Sequence, residues 1–210
     1  MLKLVAALTA GLVAMGGWAV VTVKDLPEYF VAGQQYTIEF QVRQHGRTLL
    51  SGLRPELVIE RAAARDVVIP AVARSAEGTY AVTFTAPAAG QVQFTIRSGF
   101  GNNQLRLYPQ TVVAAGGSRP AMVARDRGQM LFVAKGCNTC HVNSDLTDRP
   151  ENQAITAGPE LGGRHLAREY VVQKVKNPAS QNMPDLGLSD AEAAAIAVFL
   201  SGDRAAASGR

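Results

Sequence analysis

The hydrophobic pattern of this 210-residue chain changes period part-way along, and that change limits its fold more than any other feature. From Trp18 to about Ala115, apolar and polar residues alternate. Tyr36-Thr37-Ile38-Glu39-Phe40-Gln41-Val42, Tyr80-Ala81-Val82-Thr83-Phe84 and Val92-Gln93-Phe94-Thr95-Ile96 each put one set of side chains on one face of a strand. Glu56-Leu57-Val58-Ile59-Glu60 is a shorter candidate, and Trp18 to Val23 reads as the first strand of the series. Turn chemistry separates them, at Ala32-Gly33, His45-Gly46, Ser51-Gly52, Glu77-Gly78, Pro87 to Gly90 and Gly101-Asn102-Asn103. One half-buried sheet could not hide both sets of apolar faces, so the spacing predicts a two-sheet sandwich.

Ala114 to Pro120 is rich in small residues and glycine and reads as a linker. Beyond it the period becomes 3.6. Met122 to Lys135 sets Val123, Met130, Leu131 and Ala134 on one helical face. Leu166 to Lys176 places Leu166, Tyr170, Val171 and Val175 at helical spacing. Ser189 to Leu200 opens on a capping box, Ser189 with Glu192, and carries the stripe Ala193, Ile196, Ala197, Leu200. The expected organisation is therefore an N-terminal segment at 1–17, an all-β domain at 18–115, a linker at 116–120, an all-α domain at 121–202 and a frayed tail at 203–210.

The N-terminal segment has a positive start at Lys3, an apolar stretch from Leu4 to Val13 and a small-residue end at Ala14-Met15-Gly16-Gly17. That is the layout of a secretory signal peptide. Apolar residues continue to Val23, just long enough for a retained membrane anchor. Gly11, Gly16, Gly17 and the run Val20-Val21-Thr22-Val23 weaken that helical alternative. Either way the rest of the chain is expected outside the cytoplasm, in the periplasm or an equivalent space. The net charge of +4 is spread over both halves without a dense Lys/Arg stripe, which argues against a nucleic-acid partner.

The chain has two cysteines, and they stand together in Cys137-Asn138-Thr139-Cys140-His141. Two thiols three positions apart on a helical turn can each form a thioether to one vinyl group of a haem, and the next residue then brings an imidazole to the iron. Three other readings use the same residues. A thioredoxin-like redox pair needs a preceding strand, and here a helical stretch precedes. A zinc site would need Cys137, Cys140, His141 and the more distant His165. A disulfide within the motif would be small and strained.

Residues 121–202 resemble a class I, mitochondrial-type cytochrome c domain. The resemblance rests on the haem motif and on five further segments in order. These are Gly128-Gln129-Met130-Leu131-Phe132, Gly158-Pro159-Glu160-Leu161, Asn177-Pro178, Met183-Pro184, and Ala195 to Leu200. It implies one covalent haem c held by Cys137 and Cys140, with His141 as the proximal axial ligand and Met183 as the distal one. It also implies that the Pro159 carbonyl orients the His141 ring, that Leu161 lines the pocket, and that Gly128 lets the two end helices cross closely at Phe199. Arg164 could pair with a haem propionate. His165 is the rival distal ligand, while Met122 and Met130 fit a helix core better. With both axial positions filled, no site remains for substrate. The resemblance then implies an electron carrier rather than an enzyme, with a potential raised by the thioether ligand.

The β domain resembles, more loosely, YtkA-like immunoglobulin-like sandwich modules of the cell envelope. That resemblance rests on Trp18-Ala19-Val20-Val21-Thr22, Ala32-Gly33-Gln34 and Gln41 to Gly46. His45 is its one imidazole, and it has no Cys and no Met after residue 17, so blue-copper and binuclear copper sites are excluded. His45 is expected to serve as a turn residue bonded within its own loop. The domain reads as a docking or spacer module. The expected role is a subunit of a larger membrane-bound electron-transfer complex, exchanging electrons with a protein donor and a protein acceptor. A free periplasmic shuttle, the cytochrome subunit of a dehydrogenase, and a haem sensor or peroxidase are the alternatives.

Overall fold

A computed structural model describes residues 17–61, 64–146, 155–179 and 183–202. The N-terminal signal or anchor (apart from Gly17) and the tail at 203–210 lie outside the described residues. Among the described residues, no helix is long and apolar enough to cross a membrane.

The first unit contains β1 (Ala19–Val23), β2 (Phe30–Val31), β3 (Gln35–Gln44), β4 (Thr48–Leu49), β5 (Glu56–Glu60), β6 (Val67–Pro70), β7 (Val72–Ala73), β8 (Thr79–Thr85), β9 (Gly90–Arg97), β10 (Gln104–Arg106) and β11 (Gln110–Val113). They form two sheets. One runs β1-β3-β8-β7 with β4 beside β3; the other runs β2-β11-β9-β5-β6 with β10 beside β9. Alternation decides which residues meet between the sheets. Ile38, Phe40 and Val42 of β3, Val82 and Phe84 of β8, Leu57 and Ile59 of β5, and Phe94 and Ile96 of β9 are all buried in the shared core. Phe30, Phe84 and Phe94 pack with ring centroids 5.2–5.8 Å apart in tilted and edge-to-face arrangements, which aromatic pairs prefer. This is the sandwich that the period-two pattern predicts.

The second unit contains α1 (Ala124–Ala134), α2 (Cys137–Cys140), α3 (Arg168–Lys176) and α4 (Asp190–Ser201). The capping box of α4 is present: Glu192 N–H donates to Ser189 Oγ at 3.2 Å, and Ser189 N–H to Glu192 Oε2 at 3.1 Å. Ala193, Ile196, Ala197 and Leu200 are buried as expected, joined by Phe199. Lys176 pairs with Asp190 across the α3–α4 junction and holds that carboxyl below its usual range; the pair is exposed and contributes little.

Two apolar residues lie off the stripes expected for them. Val123 is the exposed N-cap of α1, and Tyr170 is half exposed under the Lys174 ammonium, because α3 faces α4 through Val171 and Val175. In α1, Met130 to Ala134 are buried without a break, because α4 packs on one side and the sandwich lies on another.

Gly128 sits where α1 crosses α4. A Cβ there would fall 2.0 Å from the Ala195 carbonyl oxygen and 2.8 Å from Phe199 Cβ. No other residue allows that approach, and the Phe132 and Phe199 rings pack behind it in a tilted arrangement with centroids 5.6 Å apart.

Candidate functional site

The helical unit assembles its chemistry on the α1–α2 corner and the loops that face it. Gly136 ends α1 and caps α2 with a left-handed φ of 76°, turning the chain so that Cys137 begins a new helical turn. Both cysteines are free. Burial, with the neighbouring Cys140 adding to it, pushes the Cys137 thiol up to about 12. Burial also raises Cys140.

His141 follows at the end of α2. Its Nδ1 lies 2.9 Å from the Pro159 carbonyl oxygen. A carbonyl only accepts, so Nδ1 carries the proton and Nε2 keeps its lone pair for a metal. Gly158 backs the ring: a Cβ there would come within 2.4 Å of the His141 Cε1. The backbone holds this loop in place, with Gly158 N–H donating to Cys140 O and Leu161 N–H to Val142 O. Cys137, Leu161 and Met183 are each partly buried against the hydrophobic core. The side-chain oxygen of Asn138 and the side-chain nitrogen of Asn143 are buried without a hydrogen-bond partner, an unusual cost beside this turn. Two free thiols in the order Cys-x-x-Cys-His and a ring fixed in the ligating tautomer fit a covalently held haem.

The other two histidines are placed differently from expectation. His165 takes a left-handed conformation, and its ring packs where a Cβ on Gly202 would stand, at the C-terminal end of α4. Among the described residues, no three His, Cys, Asp or Glu side chains gather to hold a metal ion, so the zinc set is not assembled. Arg164 is exposed and reaches the Glu160 carbonyl at 3.4 Å. His45 is a turn residue with φ 52°, but it bonds outside its own loop: its N–H donates to Trp18 O, and its ring leans on the Trp18 indole at 5.5 Å.

The contacts that sequence reasoning missed join the two units. Arg127 Nη2 donates to Leu26 O at 2.6 Å and Nη1 to Pro27 O at 3.4 Å. Burial lowers the pKa of Arg127, while Glu28 and Glu192 oppose that shift. Lys135 donates to the Lys24 carbonyl and pairs with Glu192 at 2.6 Å, its side chain only 3% exposed. One signal could have exposed this junction. Ala19 to Val23 reads almost wholly apolar, and an edge strand buried on both faces must be covered by something outside its own sandwich.

Residues 123–200 match the family model described as cytochrome c oxidase, cbb3-type, subunit III. The helical unit is a cytochrome c domain. No curated protein matches the chain. Among solved structures, the β unit is similar to the Lin-41 filamin domain, at 18% identity and a TM-score of 0.37, over 47% of this chain and 93% of that one. It is also similar to a superoxide reductase (neelaredoxin) from Ignicoccus hospitalis, at 19% identity and a TM-score of 0.33, over 45% of this chain and 83% of that one. The sheet order given above, not these likenesses, establishes the sandwich. The cytochrome c domain supports a c-type cytochrome that carries electrons, which implies haem and redox partners.

Proposed function

We propose that the chain is an extracytoplasmic, one-haem c-type cytochrome, and that it works as an electron-transfer subunit of a larger membrane-bound complex. The observation that carries the reading is the His141 imidazole, locked by Pro159 and Gly158 in the tautomer that offers Nε2 to a metal, directly after two free thiols. Cys137 and Cys140 would hold the haem, His141 and Met183 would take the two axial positions, and Leu161 and Arg164 would line its pocket. Bound there, the haem supplies a one-electron couple. The protein's part is to fix the ligands, exclude water with the core around Phe132 and Phe199, and keep the His141 proton on Nδ1. The match to a model of an oxidase subunit supports the complex over a free shuttle or a dehydrogenase subunit. The layout of Met1 to Gly17 supports export.

The visible spectrum of protein matured in a haem-attaching host tests this. The wild type is expected to show a low-spin covalent haem with the ferric sulfur–iron band, and Met183→Ala to lose that band while keeping the haem. A high-spin wild type that binds carbon monoxide readily would mean an open distal position, and a sensor or peroxidase would replace the carrier.

A further inference from the structure

The electron-carrier reading does not explain why the outer face of β1, at the edge of the first sheet, is buried. All five residues of β1 are buried. Ala19, Val21 and Val23 point into the sandwich core. Val20 and Thr22, only 4% and 2% exposed, belong to the opposite face. There they meet the segment that leads into the haem-attachment helix. Thr22 Oγ1 donates to the Lys135 carbonyl at 3.3 Å. A Cβ on Gly136 would lie 2.5 Å from Val20 Cγ1 and 2.7 Å from the Val21 carbonyl oxygen. Arg43 stands opposite Val20 in the β1–β3 ladder and is itself buried. Its Nη1 donates to Thr22 Oγ1 at 3.4 Å and its Nη2 to Gln41 Oε1 at 2.5 Å. The Thr22 hydroxyl thus accepts from Arg43 and donates to Lys135, two residues before Cys137.

We propose that this sheet face is a wall of the haem site, and that Arg43 and Thr22 are positioning residues in it, holding Lys135 and Gly136 against β1 and so fixing where the haem-attachment turn begins. The proposal rests on the carrier reading and goes beyond it: the sandwich is part of the redox centre, not a spacer. Arg43 also brings a permanent positive charge. The carboxylate of Asp185, two residues past Met183, acts on it electrostatically and offsets part of its burial cost. A buried cation beside a redox centre favours the form that has gained an electron.

The test uses the full-length, haem-loaded protein. Arg43→Gln is expected to shift the ferrous–ferric equilibrium about three- to tenfold toward ferric, a fall in midpoint potential of about 30 to 59 mV for a one-electron couple. Arg43→Lys should restore most of it. Arg97→Gln removes the same charge from the other sheet, where Arg97 pairs with Glu56, and should leave the potential unchanged. Thr22→Val keeps the shape and the Arg43 charge, and is expected to speed amide exchange at Gly136 to Cys140 by about tenfold. A wild-type potential in Arg43→Gln, together with unchanged exchange in Thr22→Val, would overturn the proposal and leave the carrier reading standing. A chain that takes up no covalent haem would overturn both.

Discussion

Gly128→Ala is expected to lower the unfolding temperature of the haem-loaded protein by roughly 10 °C or more. Two effects oppose each other at this position. Alanine is the better helix former by about 1 kcal/mol, so an exposed helix would be stabilised by the change. Here the new methyl would stand 2.0 Å from the Ala195 carbonyl oxygen, and a backbone atom inside α4 cannot swing aside as a side chain can. The helices must separate, and the Phe132–Phe199 ring contact separates with them. Overpacking of this kind costs about 1–3 kcal/mol and sometimes more, and an immovable neighbour puts it at the upper end. For a domain of this size each kcal/mol moves the midpoint by about 4–8 °C. Thermal unfolding followed at the haem absorption is the measurement. A midpoint at or above that of the wild type would mean that α1 and α4 do not cross here.

Lys135→Met is the second large effect. The Lys135 side chain is 3% exposed and that of Glu192 14%, so water screens the pair poorly. Removing the cation leaves the Glu192 carboxylate without its counter-charge and the Lys24 carbonyl without its donor, and breaking one side of a buried pair costs about 3–5 kcal/mol. Glu192→Gln should cost less, because Gln can still reach back to the Ser189 N–H and keep the capping box. The double variant should be more stable than the sum of the two single changes predicts, since it leaves no lone buried charge. Chemical unfolding of all four proteins gives the coupling directly. Additive losses would show that the two side chains do not interact.

The sequence made the sandwich core legible because strands with one buried face must alternate. β5 was readable over its full length, Glu56 to Glu60, and the cores of β3, β8 and β9 were equally plain. Two-residue strands such as β2, β4 and β7 carry too few side chains to show a period. The capping box at Ser189 was legible from its spacing to Glu192, and the close crossing at Gly128 came from the resemblance to the cytochrome c family. Val123 and Tyr170 misled because an apolar residue at the right spacing can still lie at a helix end or beside the contact face. The junction between the units could not be read from periodicity. It joins residues about a hundred positions apart, and its acceptors are main-chain carbonyls, which leave no mark on the residue types that carry them.

Arg127 and Lys135 grip the carbonyls of Lys24, Leu26 and Pro27 rather than their side chains. Related chains can therefore exchange the residues at 24 and 27 freely while the grip persists, provided the loop keeps its path. Statistical coupling between positions would miss this grip, and grafting the sandwich onto another cytochrome would require transplanting the two cations together with the glycine at 136 that lets β1 approach.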